Sequence, residues 1–390
     1  MVIEPKIIGG VCLTAHPSGL KKALDEQIAY VEKKGSINMP KRVLVIGGST
    51  GYGLASRISA AFGGGAGTLN ISFEREPSAK KPGSPGWYNN KYFDKAASEK
   101  GLIAESINAD AFAHETRAAV IERIKELFGQ VDLVVYSLAS PVRKDPDTGE
   151  TYKSVLKPVG QTYTAKSVDF LKGTVNEVTI EPATEKEVAD TVKVMGGEDW
   201  ILWINALMDA GVLAEGAKTM AYSYIGPDIT FPVYRAGAIG AAKEHLEKTA
   251  LELNNKLASM GGESFVSINK ALVTRASSVI PVVPLYISLL YKVMKAKGIH
   301  EGCIEQMYRL MVSKMYGPDG VVRDENSLVR MDDWEMREDV QSEISENWDK
   351  VTTENLSELT AIEGFRRDFM QLHGFDWDGV DYSADVDPLG

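Results

Sequence analysis

The sequence predicts an α/β fold: a doubly wound parallel sheet with flanking helices, an N-terminal extension and a mainly helical C-terminal part. Three observations lead there. Continuous β-branched runs such as Arg42 to Ile46 (RVLVI) and Val131 to Tyr136 (VDLVVY) read as strands buried on both faces. Segments of helical period separate them. A glycine-rich loop joins the first such strand to the first such helix. Strands alternating with helices at this pace are the pattern of βαβ units.

In chain order, residues 1–40 form a polar extension with one amphipathic helix, Lys21 to Lys34. The strand Arg42 to Ile46 is followed by a helix over Leu54 to Phe62, with Ala55, Ile58 and Phe62 on one face. Thr68 to Phe73 is a second strand. Phe112 to Phe128 places Val120, Ile124 and Leu127 at helical spacing and closes on Gly129. After VDLVVY the alternation pauses between Pro141 and Pro182, a Lys-, Thr- and Gly-rich stretch. Helices resume at Thr184, which can cap while Glu187 completes a capping box. Strands follow at Met220 to Ile225 and Phe265 to Ile268, the latter running on towards Thr274. Leu246, Ala250, Leu253 and Leu257 mark a long helix between them. Val279 to Tyr291 (VIPVVPLYISLLY) is a buried helix entered through Pro284, short of the roughly 18 residues that span a bilayer. A Gly-Pro-Asp-Gly turn at Gly317 to Gly320 can open a hairpin. No linker divides the chain. It reads as one domain, with a core over 41–275, an insertion at 141–200 and a helical part over 276–390.

Composition narrows the function. The chain has 390 residues, 44% hydrophobic and 25% charged, with 43 basic against 54 acidic side chains and a formal charge of −11. That surface repels polyanions, which argues against a nucleic-acid partner. Cys12 and Cys303 are the two cysteines, as suits a reducing compartment. The start, Met1-Val2-Ile3-Glu4-Pro5, has no signal-peptide pattern, so a cytoplasmic protein without a membrane span is expected. The five histidines lack metal-ligand spacing, and no metal site is expected; His16, in a Leu-Thr-Ala-His-Pro turn, is the one to watch.

The loop Gly47-Gly48-Ser49-Thr50-Gly51-Tyr52-Gly53 has the spacing G-x-x-x-G-x-G. Glycine there permits a tight turn and lets backbone approach a pyrophosphate at a helix N-terminus. Glu74 follows about 20 residues later, at the end of the second strand, where a carboxylate can accept the ribose hydroxyls of NAD. A Rossmann-like site for NADH is the reading, with Arg75 keeping NADP open. Gly47 to Gly51 also matches G-x-S-x-G, so a hydrolase with Ser49 as nucleophile is an alternative, although that elbow usually follows several strands. Asp110 and Ala111, beyond a third strand candidate that precedes the Phe112 to Phe128 helix, and Leu138 and Ala139, beyond VDLVVY, lie where open parallel sheets bind ligands.

A reductase needs a proton donor, often a tyrosine whose phenol is acidified by a lysine. Tyr291 and Lys295 have the short Tyr-x-x-x-Lys spacing but read as packing plus a solvated end. Tyr234 and Lys243 have the spacing Tyr-x8-Lys. On a continuous helix they would point about 180° apart and lie about 13 Å apart along the axis. Tyr234 must therefore sit in a turn near Pro232 and Gly237, with Lys243 on the helix proper.

These strings carry a resemblance. With GGSTGYG at Gly47 to Gly53, PGWYNN at Pro85 to Asn90, YSLASPVRKDPDTG at Tyr136 to Gly149, AYSYIGP at Ala221 to Pro227 and ALVTRASSVIPVVPLY at Ala271 to Tyr286, the chain resembles the single-chain trans-2-enoyl-CoA reductases, which are also enoyl-acyl-carrier-protein reductases of Tyr-x8-Lys type. VKVMGGEDW at Val192 to Trp200 and HEGCIEQM at His300 to Met307 extend the likeness over nearly the whole chain. The resemblance implies NADH-dependent reduction of an enoyl-CoA thioester by a monomer, with an acyl-carrier-protein substrate as the alternative. It implies Tyr234 as proton donor, Lys243 as cofactor-binding partner and Tyr224 on the thioester carbonyl. NADH would contact Gly47, Gly48, Ser49, Thr50, Gly51, Tyr52, Phe73, Glu74, Asp110, Ala111, Leu138, Ala139, Leu272, Val273 and Thr274. Where some relatives carry a second lysine, this chain has Glu244. An NADH-binding sensor that reduces nothing is the alternative of another class.

Overall fold

The computed structural model describes residues 1–390. Seven parallel strands form its central sheet: β1 (Arg42–Ile46), β2 (Gly67–Ser72), β3 (Ala104–Asn108), β4 (Val131–Tyr136), β5 (Leu213–Ser223), β6 (Glu263–Ile268) and β7 (Val329–Arg330). Their order is β7-β6-β5-β4-β1-β2-β3. Chain direction across the sheet reverses between β1 and β4, the place where a doubly wound sheet opens a crevice for ligands.

The helices are α1 (Pro17–Lys34), α2 (Gly51–Ile58), α3 (Pro85–Glu99), α4 (His114–Leu127), α5 (Glu185–Met195), α6 (Glu198–Asp209), α7 (Ala238–Leu257), α8 (Val283–Ala296), α9 (Cys303–Arg309), α10 (Glu338–Lys350), α11 (Leu356–Leu359) and α12 (Ile362–Gln371). Alternation along each strand explains the unbroken apolar runs. Val43 and Val45 face a core built with Leu24, Ile28 and Val31 of α1 and Met307 of α9. Leu44 and Ile46 face the opposite core, with Val120 and Ile124 of α4, Trp200 and Trp203 of α6 and Leu246 and Leu253 of α7. The central strands are thus buried on both sides, the condition for a parallel sheet, while the edge strand β3 is only half-buried. The extension is no loose lead-in, because α1 covers one face of the sheet.

A third core gathers Leu285, Tyr286, Ile287 and Leu289 of α8 against Val340 and Ile344 of α10 and Phe365 and Phe369 of α12. Helix α8 begins at Val283 with Pro284 in its first turn. The insertion after β4 forms two hairpins, Val142–Lys144 with Thr151–Lys153 and Tyr163–Asp169 with Thr174–Ile180. Val168 and Phe170 of the second join the α8 core. Thr184 and Glu187 form the expected capping box of α5.

Two expectations shift, and one helix was not foreseen. The first core helix starts earlier, at Gly51, and its end, Ser59–Gly63, widens into a π-helical turn before the glycines. Helix α3 had no clear periodic signal, since its buried Tyr88, Asn89, Asn90 and Phe93 are interleaved with polar residues. The turn at Gly317 to Gly320 closes on a single bridge and opens no hairpin. The strand that follows, Val329–Arg330, pairs parallel with β6 instead, because its short apolar stretch completes the sheet edge.

Candidate active site

In-register pairing brings the strand ends to one edge. Ile46 pairs with Ile71 and Tyr136, Ser72 with Asn108, Tyr136 with Ala221, and Ser223 with Ile268. The residues just beyond them therefore crowd along the carboxyl edge: Gly47–Tyr52, Phe73–Glu74, Asp110–Ala111, Leu138–Ala139, Tyr224 and Leu272–Thr274.

At the switch point, Gly47 has φ +89 and Gly51 φ +56, conformations that side chains disfavour. A Cβ on Gly47 would meet the Ser137 carbonyl oxygen at 2.4 Å, so the loops after β1 and β4 touch backbone to backbone. A Cβ on Gly51 would meet nothing within 4 Å. Thr50 precedes α2 without a side-chain cap, leaving first-turn N–H groups aimed outward from a helix N-terminus. That chemistry fits a pyrophosphate. The Gly48 N–H donates to Asn70 Oδ1 (2.7 Å), Asn70 Nδ2 to Asn90 Oδ1 (3.0 Å), and Asn89 Nδ2 to the Ser49 carbonyl (2.9 Å). These buried asparagines brace the loop, and the sequence reading assigned them nothing.

Glu74 is turned inward, its side chain only 8% exposed. Ser49 Oγ donates to its Oε1 at 2.6 Å, Ser84 Oγ donates to Oε2, and Arg275 stands 4.0 Å away. The carboxylate thus ties the glycine loop to the start of α3. Arg75 points to the Leu13 and Gly83 carbonyls, 3.3 and 3.4 Å from its Nη2. Phe73 beside it is 79% exposed at the edge of the sheet. Asp110 accepts the Phe112 N–H (2.9 Å), and Ala139 is exposed.

Tyr224 follows β5, and Tyr234 lies in the turns before α7, whose N-cap is Gly237. Their rings meet edge to face, centroids 5.0 Å apart. Lys243 sits on α7, buried, with Nζ donating to the Tyr222 carbonyl at 3.2 Å. Desolvation pushes its ammonium down to about 8. The expected acidification of Tyr234 is not seen. Burial pushes the phenol well up, and Lys243 does not counter it.

Behind the tyrosines lies a polar cluster without a local sequence signal. Glu335, fully buried, accepts from the Tyr224 hydroxyl (3.0 Å), the Tyr286 hydroxyl (2.7 Å) and the Ala271 N–H (2.7 Å). Lys270 donates from its backbone to Gln306 Oε1 (3.0 Å), and its carbonyl accepts the Tyr52 hydroxyl (2.6 Å). The Val273 N–H donates to the Tyr291 hydroxyl (3.1 Å), and Leu272 O accepts from Ser277 Oγ (2.5 Å). The segment Ala271–Thr274 is thereby fixed from three sides. Tyr291 is buried and Lys295 exposed, as expected of packing with a solvated end. His16 caps α1, its Nδ1 accepting from Gly19 at 3.4 Å. Ser49 has Glu74, not an imidazole, as its partner, which removes the ground for a hydrolase.

The profile described as trans-2-enoyl-CoA reductase catalytic region matches residues 81–316. The chain belongs to the trans-2-enoyl-CoA reductase family. The NAD(P)H binding domain of that family matches residues 2–79. A protein of Cytophaga hutchinsonii named enoyl-[acyl-carrier-protein] reductase [NADH] is 56% identical over 99% of this chain and 98% of its own length. The crystal structure of Treponema denticola trans-2-enoyl-CoA reductase in complex with NAD is 53% identical, with a TM-score of 0.96 over 99% of this chain and 98% of that one. The corresponding Clostridium acetobutulicum enzyme in complex with NADH is 44% identical, with a TM-score of 0.97 over 100% and 98%. Residues 323–386 match a profile described as enoyl reductase FAD binding domain. They do not fit a flavin here. That stretch holds β7 and three helices, with Val340, Ile344, Phe365 and Phe369 packed into the α8 core, and no glycine loop joins strand to helix. No helix of the chain is long and apolar enough to cross a membrane.

Proposed function

We propose that this chain reduces the trans-2 double bond of an enoyl thioester with NADH. The observation that carries the reading is the gathering of Tyr224, Tyr234 and buried Lys243 at the same sheet edge as the uncapped glycine loop. Bound NADH would supply hydride to the β-carbon, leaving an enolate on the thioester. Residues Gly47 to Tyr52, Phe73–Glu74, Asp110–Ala111, Leu138–Ala139, Lys243 and Leu272–Thr274 are assigned to the cofactor. The Tyr224 hydroxyl is assigned to the thioester oxygen, where a well-placed donor contributes about 3 kcal/mol to the developing charge. Tyr234 gives its proton to the α-carbon and is reprotonated from solvent. Its raised pKa keeps the phenol protonated at neutral pH, the state a donor needs. Lys243 orients the cofactor rather than acidifying the tyrosine. The acyl chain is assigned to the wall of α8 beside Tyr286.

Coenzyme A is the favoured carrier, because a formal charge of −11 disfavours docking of an acidic carrier protein. The solved relatives carry that substrate in their names; the curated relatives name the carrier protein. A cytoplasmic monomer is part of the same reading.

The test mixes purified protein with crotonyl-CoA and NADH and follows loss of dihydronicotinamide absorbance. Wild type should oxidise NADH quickly, and Tyr234→Phe should be slower by about a hundredfold while its NADH affinity is unchanged. Failure of wild type with crotonyl-CoA, longer enoyl-CoAs and enoyl-carrier protein alike would sink the reading.

A further inference from the structure

Glu335 joins three walls of the candidate site. It lies in the loop between β7 and α10, yet bonds Tyr224 beyond β5, Tyr286 on α8 and Ala271 beyond β6. Its Oε1 accepts both phenols, 3.0 and 2.7 Å away, while Gln341 Nε2 donates to the Tyr286 oxygen at 3.1 Å. A phenol has a single proton and an ionised carboxylate has none to give. With Glu335 ionised, the Tyr224 proton is spent on Oε1. Only lone pairs would then face the thioester oxygen, and these repel it as it turns negative.

At 3.0 Å, either oxygen of the Tyr224–Glu335 pair can hold the shared proton. We infer that Glu335 is a positioning residue that works protonated: its carboxyl donates to the Tyr224 oxygen and releases the Tyr224 proton towards the substrate's thioester oxygen. The inference rests on the reductase reading above. The surroundings suit it. Burial, with Asp332 in the same loop, raises the carboxyl above the usual carboxylate range; Lys270, the Tyr286 hydroxyl and the Ala271 N–H pull the other way without prevailing. Lys270 beyond β6 is itself pushed down to about 8 by burial, which weakens the cation facing Glu335. The remaining titratable neighbours, Tyr224, Tyr286 and Tyr52 of α2, are all held protonated by burial.

The experiment measures kcat/KM for crotonyl-CoA against pH at saturating NADH, so that titration of the cofactor-binding Lys243 does not shape the profile, in wild type, Glu335→Gln, Glu335→Ala and Tyr224→Phe, with NADH affinity titrated separately by fluorescence. Wild type should lose about tenfold per pH unit on an alkaline limb as Glu335 ionises. Glu335→Gln, whose amide donates at every pH, should run several-fold slower than wild type but without that limb. Glu335→Ala should be slower by about a hundredfold throughout, so that the amide rescues most of what alanine loses. NADH affinity should change little in all three variants. An intact limb in Glu335→Gln overturns the inference. So does a glutamine variant as inactive as alanine with NADH binding preserved, because the negative charge would then be what matters. Should Glu335→Gln not fold, Tyr224→Phe decides, since with no proton to release it must lose the same limb. A separate readout needs no turnover: the carbonyl band of the Glu335 carboxylic acid in the wild type minus Glu335→Gln infrared difference spectrum at about pH 7, which cancels the other buried carboxyls, Asp199, Glu301, Asp332 and Asp368. Its absence from wild type overturns the protonated state. An inactive wild type that shows the band fails the reductase reading and leaves the inference about Glu335 standing.

Discussion

The cofactor half and the tyrosine half of the site are built on different principles. Around β1, β2 and β4 the work falls to backbone: positive-φ glycines, an uncapped helix start and loops that touch carbonyl to Cα. Around β5, β6 and α8 it falls to buried side chains. Tyr224, Tyr234, Lys243, Lys270, Tyr286 and Glu335 come from six places in the chain, and their hydrogen bonds substitute for backbone regularity. The first half tolerates almost no added atom where loops meet. The second holds charges and protons in an environment that changes their ordinary values.

Substitutions at matched positions sharpen this contrast. The largest expected effect is Gly47→Ala, whose Cβ meets Ser137 backbone and whose φ disfavours a side chain. It should destabilise by roughly 3 kcal/mol or more and abolish NADH binding, read by thermal unfolding with and without NADH. In the tyrosine half, Lys243→Met should do the opposite to stability. The buried lysine titrates near 8 rather than 10.5, so between those values the native state binds fewer protons than the unfolded chain. Stability therefore rises with pH across that window, and at neutral pH the buried charge costs roughly 3 kcal/mol. The methionine variant should melt higher than wild type near neutral pH, lose that pH dependence and bind NADH poorly; a lower melting point would break the comparison. Gly51→Ala should cost only about 1 kcal/mol, because φ is strained but the space is open. The smallest effect is Ser49→Ala, which removes one hydrogen bond to Glu74. It should cost about 1 kcal/mol or less and leave reduction of crotonyl-CoA within about tenfold of wild type. A strong loss there would mean that the Ser49–Glu74 contact orients the cofactor rather than the loop.

The legible part of the molecule follows the same division. RVLVI and VDLVVY read as buried strands because each residue faces one core or the other, and the glycine loop read as a ligand turn because its conformation demands glycine. The Tyr-x8-Lys spacing itself required a break between Tyr234 and Lys243, and the turns before Gly237 supply it. Helix α3 was illegible. Its Asn89 points inward to the Ser49 carbonyl and its Asn90 to the Asn70 and Ser72 side chains, and inward polar residues erase the apolar period that marks a helix. Glu74 was placed correctly at the end of its strand, but not its turn towards Ser49 and Ser84.

By itself, then, the sequence determined strand and helix identity, the position of the glycine loop and the break before Lys243, since each depends on local backbone preference or on a period of two or 3.6 residues. Tertiary structure alone decided that Glu335 reaches Tyr224 across 111 residues of chain. It also decided that Lys243 and Tyr234 are perturbed in opposite senses by one dry environment. Desolvation and shared protons belong to the packed interior, and no local pattern encodes which distant carboxylate will close it.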